Sequence, residues 1–103
     1  MNKIISYIGF AIRSKKLIAG QSPLKHNYKE KIYVILVCHT ASENLKNLAK
    51  NIANKNQCEV ITTKVELETL TNLKDIKIVG ITDENLGKAI IDNKEIINIG
   101  KRN

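Results

Sequence analysis

The amino-acid sequence predicts an α/β protein, a three-layer α/β/α sandwich around a small mixed four-stranded sheet. The segment 32–38 (Ile-Tyr-Val-Ile-Leu-Val-Cys) is apolar on both faces, as expected of a strand in the middle of a covered sheet. Segments with helical apolar spacing alternate along the chain with short β-rich segments. The 103 residues, 43% of them apolar, fit one domain spanning 1–103 with a single core region.

The first helix is expected to begin after Asn2, its predicted N-cap, and to bury a stripe at helical spacing: Ile4, Ile5, Ile8, Ala11 and Ile12. Gly9 inside this helix costs about 1 kcal/mol relative to alanine, and we expect it to permit close packing on a neighbouring strand. Residues 16–19 form a short strand and Gly20 turns the chain. Ser22 then caps a short basic helix from Pro23 to Lys29.

After the strand 32–38, Ser42 is predicted to cap a helix with the buried stripe Leu45, Leu48, Ala49, Ile52 and Ala53. A strand over 58–62 leads into Thr63-Lys64-Val65-Glu66, which matches a capping box opening a short helix through Leu67 and Leu70. A strand over 75–81 follows. Thr82 or Asp83 caps the last helix, which turns Leu86, Ala89 and Ile90 inward, and 95–99 is a final short strand.

The positive charge is concentrated in the first third of the chain. The net charge is +7. The first 31 residues hold seven cations and one anion, a net +6, whereas residues 32–103 hold ten cations and nine anions, a net +1. A solvated lysine-rich surface would predict an even spread, so the asymmetry favours an anionic partner, most simply nucleic acid. The aromatic share of 4% disfavours a single-strand binder built on stacked rings.

Other classes of function find little support. With no transmembrane run and no signal peptide, we expect a cytoplasmic protein with reduced cysteines and no membrane partner. Cys38 ends a strand just before a capped helix, where a thiol pKa can be lowered. However, the loop 39–44 has no arginine or glycine to hold a phosphoryl group, so a buried thiol is the better interpretation.

Metal and cofactor sites are not expected either. Cys38 and His39 are adjacent, Cys58 is distant, and no C-x-x-C or H-x-x-x-H spacing occurs. The prediction is therefore a protein that is not an enzyme, with no catalytic residue, metal, cofactor or small-molecule substrate.

The candidate working surface is the stretch 13–26. A strand–glycine–helix turn exposes backbone N–H groups that attract phosphate. Arg13, Lys15, Lys16, Lys25 and Lys29 surround it. The alternative is a plain tight turn with solvated lysines, and the charge asymmetry favours the functional interpretation.

Four pieces of the chain, in order, are similar to one known family. They are residues 8–20 (Ile-Gly-Phe-Ala-Ile-Arg-Ser-Lys-Lys-Leu-Ile-Ala-Gly), 34–44 (Val-Ile-Leu-Val-Cys-His-Thr-Ala-Ser-Glu-Asn), 64–67 (Lys-Val-Glu-Leu) and 80–84 (Gly-Ile-Thr-Asp-Glu). The chain resembles, over about residues 3–91, the bacterial YlxQ-like proteins of the kink-turn RNA-binding ribosomal protein superfamily (the L-seven-Ae and L-thirty-e group). The resemblance implies a three-layer α/β/α fold and no catalysis.

The resemblance also implies where RNA binds. Family members contact RNA through the turn that here contains Gly20 and through the start of the next helix. A second contact comes from the loop that here is Asn72-Leu73-Lys74-Asp75. The RNA is typically a sharply bent internal loop with tandem G·A pairs.

The RNA-reading turn departs from the family pattern Gly-x-Asn-Glu-x-x-Lys. Here Ser22 replaces the asparagine, Pro23 replaces the glutamate, and His26 stands at the lysine position. Pro23 has no side-chain hydrogen-bonding group, so it cannot copy the glutamate contact to a purine. Asn72 stands where the fourth helix of the family usually ends in glycine.

The predicted function is a non-catalytic, monomeric RNA-binding protein of the translation apparatus that recognises structured RNA, possibly ribosomal RNA. The predicted RNA surface is Lys16, Gly20, Gln21, Ser22, Lys25 and His26. Arg13, Lys15 and Lys29 would neutralise phosphates, and Leu73 with Lys74 would touch an extruded nucleotide. The alternative is a protein-interaction module that keeps the fold without binding RNA.

Overall fold

Helices and strands alternate along the part of the chain that the computed structural model describes, residues 3–94. In chain order they are α1 (Lys3–Arg13), β1 (Leu17–Ala19), α2 (Gln21–Lys25), β2 (Val34–Cys38), α3 (Glu43–Asn56), β3 (Glu59–Thr63), α4 (Leu67–Thr71), β4 (Ile78–Ile81) and α5 (Glu84–Asp92). None of these helices is long and apolar enough to cross a bilayer. The predicted cap Asn2 and the predicted strand over 95–99 lie outside the described residues.

The strands form one mixed sheet in the order β1-β4-β2-β3. β2 and β3 are parallel, with Val34 opposite Glu59 and Cys38 opposite Thr63. β4 runs antiparallel to β2 on one side and to β1 on the other. The predicted mixed four-stranded sheet is confirmed, and β2 lies inside it as its apolar sequence indicates.

Alternation along β2 divides the core into two halves, one on each face of the sheet. Val34, Leu36 and Cys38 pack towards α1, α4 and α5. Ile35 and Val37 pack towards α2 and α3. All five residues of β2 are buried, because helices cover both faces. The three-layer α/β/α sandwich is therefore confirmed.

The strand directions bring four chain segments to one edge of the sheet. β1, β2 and β3 end there and β4 begins there, because β4 is antiparallel to its two neighbours and β2 is parallel to β3. We call this the loop edge, defined by Gly20, Cys38, Thr63 and Lys77. Backbone hydrogen bonds connect the segments at this edge. The Gly20 N–H donates to the Ile78 carbonyl (2.9 Å), and the Cys38 N–H donates to the Lys77 carbonyl (2.8 Å).

Two of the predicted helix caps are confirmed. The Ser42 hydroxyl accepts from the Leu45 N–H at 3.1 Å, and Asp83 accepts from the Leu86 N–H at 2.9 Å. In each case the side chain satisfies one backbone donor that the first turn of the helix leaves unpaired. Of the two proposed caps for α5, Asp83 is the one that acts.

The second helix differs from the prediction. It spans Gln21–Lys25 with Gly20 as its N-cap, so Ser22 lies inside it and is not the cap. It also stops four residues before the predicted end at Lys29. The reason is a local turn in which Asn27 Nδ2 donates to the Glu30 carbonyl (2.8 Å) and Asn27 Oδ1 accepts from the Glu30 N–H (3.2 Å).

The predicted capping box at 63–66 is also wrong. Thr63 belongs to β3, and its hydroxyl donates to the Val65 carbonyl at 2.8 Å. Glu66 is itself the residue before α4 and makes no side-chain cap. Its carboxylate is engaged across the loop edge instead, as described below.

Four smaller predictions differ from the structure. β2 begins at Val34 because the Ile32 N–H donates to the side chain of Asn56 (3.0 Å) and not to a neighbouring strand. β3 begins one residue later than predicted, since the Cys58 N–H donates back to the Ala53 carbonyl of α3 (2.9 Å). β4 begins three residues later than predicted, since Asp75 takes a left-handed conformation (φ 59°) that no strand accommodates. Gly9 faces no neighbouring strand: a Cβ there would meet only the Arg13 guanidinium, at 3.5 Å.

Candidate nucleic-acid interface

Gly20 sets the geometry of the turn between β1 and α2. Its backbone has φ 99° and ψ 158°, a region open essentially to glycine alone. The turn is short because the Gly20 carbonyl accepts from the Leu24 N–H (3.3 Å) while the Gly20 N–H is held by Ile78. Leu24 is buried against the sheet, so Gln21, Ser22 and Lys25 face outward and are exposed.

The loop before β4 lies against this turn. A Cβ at Gly20 would lie 3.9 Å from Cδ1 of Ile76 and 3.6 Å from Cδ of Pro23. Ile76 directly follows the loop 72–75, which is distant from Gly20 in sequence. The structure therefore brings the two segments of the candidate surface together at the loop edge.

The loop 72–75 has a defined shape. Asn72 ends α4 in the left-handed conformation (φ 65°), which is the conformation that a terminal glycine would adopt. The Leu73 N–H donates to the Thr71 hydroxyl (3.0 Å), and the Asp75 N–H donates to Oε2 of Glu68 (2.6 Å).

These bonds shape a small cavity of about 140 Å³, lined by Glu68, Asn72, Leu73 and Lys74. Of the two predicted contact residues in this loop, Lys74 is exposed and Leu73 is half-buried.

A second concave surface lies beside β1, the edge strand of the sheet. This groove of about 280 Å³ is lined by Lys15, Ile18, His26, Asn27, Tyr28, Lys29 and Glu30. We call it the β1 groove. It gathers three predicted site residues, namely Lys15, His26 and Lys29. Nδ1 of His26 lies 2.9 Å from the Ser22 carbonyl and must carry a hydrogen there, because a carbonyl only accepts.

The remaining predicted cations are more dispersed. Arg13 ends α1, and its guanidinium lies back over Gly9. Lys16 and Lys25 are exposed on either side of β1, and neither lines the groove. The candidate surface thus has two described parts, the loop edge and the β1 groove. Lys16 lies just before the start of β1, at the end of the strand away from the loop edge, where its carbonyl accepts from the Thr82 N–H (2.9 Å).

Sequence reasoning missed a polar cluster at the loop edge. The thiol of Cys38, itself 0% exposed, donates to Oε1 of Glu66 at 3.3 Å. Nζ of Lys77 donates to the same oxygen at 3.2 Å and to the Thr40 hydroxyl at 2.7 Å. The Thr40 hydroxyl in turn donates to Oε2 of Glu66 at 3.3 Å. No sequence signal connects these residues, because they meet only through the pairing of β2 with β3, which brings in Glu66, and with β4, which brings in Lys77.

The cluster shifts the pKa values of two side chains, Glu66 and Lys77. Hydrogen bonds from the Cys38 thiol and then from Lys77 hold the pKa of Glu66 below its ordinary value of 4.5. The hydrogen bond to Glu66 raises the pKa of Lys77 above its ordinary value. Both side chains are about two-fifths exposed, so solvent screens the ion pair. Its structural effect is to tie the segment that begins β4 to α4 and to the β2–α3 loop.

The cluster also contains potential metal ligands, since donor atoms of Cys38, His39 and Glu66 lie within 4.8 Å of one another. These potential ligand atoms already have hydrogen-bond or ion-pair partners, however. Nδ1 of His39 donates to the Thr63 carbonyl at 3.0 Å, and the Lys77 ammonium already lies beside the carboxylate. An added cation would have to displace this ammonium, so the arrangement suits a hydrogen-bonded clamp better than a metal centre. The buried position of Cys38 confirms the prediction of a buried thiol.

No family model matches the chain, and no curated protein matches it. Among solved structures the chain is similar to a protein of unknown function from Bacillus halodurans, with a TM-score of 0.79 and 15% sequence identity. The similarity covers 92% of this chain and 99% of that chain. At this level of identity the likeness shows the α/β/α fold alone.

Proposed function

We propose that this is a non-catalytic, cytoplasmic RNA-binding protein of the translation apparatus, which binds structured RNA of the kink-turn kind at the loop edge. The observation that carries the proposal is the contact between the Gly20 turn and Ile76. The two segments that the family resemblance marks as RNA contacts are far apart in sequence, and the position of Ile76, directly after the second segment, against the Gly20 turn supports a single contact surface.

The chemistry of this surface supports an RNA partner. Gly20 places no side chain above the turn, so a ribose-phosphate backbone can approach it closely. Gln21 and Ser22 are exposed beside it and can hydrogen-bond bases or phosphates. Lys25 follows them in α2, Lys74 lies in the loop 72–75, and both are exposed; lysine suits phosphates as a point charge. Lys16 is exposed too, but it lies at the opposite end of β1, where its carbonyl accepts from the Thr82 N–H (2.9 Å).

Pro23 limits how the turn can recognise RNA bases by hydrogen bonding. It stands in the exposed first turn of α2, where the family pattern has glutamate, and it offers no hydrogen-bonding side chain. Recognition of the bend in the RNA therefore depends more on shape and phosphates here than on base edges. We expect discrimination between bent and straight RNA to survive, with a smaller ratio than a glutamate-containing turn would give.

The test is a binding titration with three RNAs of equal length. They are a kink-turn, the same RNA with its G·A pairs replaced by Watson–Crick pairs, and a plain duplex. The proposal predicts tightest binding to the kink-turn. If about four phosphates are neutralised, log K falls with log salt by a slope of roughly −3 to −4.

Two double variants with matched loss of charge locate the binding surface. Lys25→Ala/Lys74→Ala removes one exposed lysine from each of the two segments of the proposed surface, so it should weaken binding and make the salt slope shallower by roughly 1 to 2. Lys50→Ala/Lys88→Ala removes two exposed lysines from α3 and α5 and should have a smaller effect. Equal losses in the two variants would contradict a site at the loop edge. The absence of binding to all three RNAs at micromolar protein would contradict the proposal.

A protein-interaction module is the second candidate, and one observation favours it. Phe10 and Ile5 on α1 are 53% and 40% exposed, an unusual exposure of large apolar side chains in this chain. Capture of a specific protein partner from cell extract that depends on Phe10, together with no RNA binding, would support this alternative.

A further inference from the structure

The β1 groove contains the most exposed large apolar side chain among residues 3–94. Tyr28 is 84% exposed, although a ring of this size is normally well buried. Lys15, Lys29 and Ile18 of the edge strand line the same groove. An open aromatic ring that shares a groove with two lysines is suited to stacking an unpaired base while the cations hold the adjoining phosphates.

The ring is presented by a rigid turn. Both side-chain ends of Asn27 bond to the backbone of Glu30, which closes the turn that carries Tyr28 and Lys29. The following residues are fastened to the end of α3, where Nζ of Lys31 donates to the Asn56 carbonyl (2.8 Å). The Ile32 N–H donates to the Asn56 side chain (3.0 Å). Because the backbone that carries Tyr28 is ordered before binding, little backbone conformational entropy is lost when a ligand stacks on the ring.

The charges in the groove give a ligand its orientation. Lys15 and Lys29 attract phosphates, whereas Glu30 repels them and can accept a hydrogen bond from an exocyclic amino group of a base. A nucleotide satisfies both requirements, with its base over the ring and its phosphates towards the lysines. A protein partner with an acidic surface would satisfy the lysines but leave Glu30 facing like charge.

We propose that the β1 groove is a second RNA contact, in which Tyr28 stacks on one unpaired nucleotide and Lys15 and Lys29 bind its flanking phosphates. This inference rests on the proposed function, since it names a further contact made by the same RNA. It adds a site outside the loop edge and the loop 72–75. It also qualifies the expectation from the low aromatic content, because one well-placed ring suffices for one base.

The test uses a kink-turn RNA with a short unpaired flank, labelled with 2-aminopurine at each unpaired position in turn. Binding of the wild-type protein should quench the fluorescence at one position, where the label stacks on Tyr28. Tyr28→Leu keeps an apolar side chain and removes the ring, so it should abolish this quenching. It should also weaken affinity roughly 5- to 100-fold without changing the salt slope. Tyr28→Phe should behave like the wild type.

The control is Phe10→Leu, which removes another exposed ring from a different face, on α1. It should leave affinity and quenching unchanged. Lys15→Ala/Lys29→Ala should make the salt slope shallower by roughly 1 to 2 while retaining part of the quenching.

The outcomes separate the two proposals. If the wild type binds RNA and Tyr28→Leu binds it equally with the same quenching, the β1 groove proposal is overturned and the proposed function stands. If the wild type binds none of the RNAs, both are overturned. A loss of affinity in Phe10→Leu equal to that in Tyr28→Leu would place the stacking elsewhere and likewise overturn the groove assignment.

Discussion

Replacing Gly87 by alanine should destabilise the protein, even though Gly87 lies inside α5, where alanine is the better helix former. Helix propensity alone favours alanine by about 1 kcal/mol. A Cβ at this position, however, would lie 2.8 Å from Cβ of Tyr33, with the Tyr33 backbone 3.6–3.8 Å away. Tyr33 cannot retreat easily, because its N–H donates to the Ile81 carbonyl (2.8 Å) at the start of β2.

The size of the effect follows from these opposing terms. Forcing an extra carbon into a packed contact costs about 1–3 kcal/mol. Against a propensity gain of about 1 kcal/mol, the expected net loss is ~1 kcal/mol of unfolding free energy. Gly9→Ala is the matched control, because Gly9 is also inside a helix but a Cβ there would meet only the mobile Arg13 guanidinium. That variant should be stabilised by about 0.5–1 kcal/mol.

The assay is urea unfolding followed by far-UV circular dichroism, with the wild type and both variants under one set of conditions. The midpoints should fall on opposite sides of the wild type with unchanged slopes. A Gly87→Ala variant that gains the same stability as Gly9→Ala would refute the reasoning, because it would mean that α5 does not approach Tyr33 as closely as described.

Substitutions at three further positions test other contacts. Asp83→Ala should cost about 1 kcal/mol of unfolding free energy, because it removes the acceptor for the first turn of α5, while Asp83→Asn should lose much less. Asn72→Ala should cost about 1 kcal/mol because of the left-handed backbone at the end of α4, whereas Asn72→Gly should be neutral or stabilising; equal losses in both would contradict the role of the backbone. Because the hydrogen bonds from the Cys38 thiol and then from Lys77 lower the folded-state pKa of Glu66, its carboxylate stabilises the protein above pH 4.5 and loses this effect as the pH falls through the lowered pKa. Glu66→Gln should therefore be less stable at neutral pH and lose less stability on acidification, as measured by thermal melts at several pH values.

Apolar patterning predicted much of the fold. The unbroken apolar run of β2 indicated an inner strand, and the structure buries all five of its residues between two helical layers. Ser42 and Asp83 stand just before periodic segments, where a cap acts on a backbone donor three residues ahead. These caps act between residues that are close in sequence, so the local sequence is enough to predict them.

Two of the predictions that were wrong, the capping box at 63–66 and the start of β2, depend on partners far along the chain. Thr63 and Glu66 match a capping box in sequence. However, the pairing of Thr63 with Cys38 extends β3, and the Cys38 thiol and Lys77 recruit the Glu66 carboxylate. Ile32 left the strand for the same kind of reason, since the side chain of Asn56 accepts its N–H.

Some features of the candidate site could likewise be predicted from the local sequence, and others could not. Gly20 was identifiable as a turn from its place between a strand and a helix, and the structure gives it a positive φ of 99°. The contact between Gly20 and Ile76 was not derivable from patterning, because it requires the strand order β1-β4-β2-β3. Tyr28 was overlooked because a lone tyrosine in a basic segment carries no periodic signal.

The most direct test of the central proposal is to map the RNA-binding surface by nuclear magnetic resonance. Backbone amide shifts of the isotope-labelled protein would be followed during titration with the kink-turn RNA. The proposal predicts that the largest changes fall in two segments, 20–25 and 72–77, which meet at the loop edge. Changes confined to the exposed faces of α3 or α5, or no changes at saturating RNA, would contradict it.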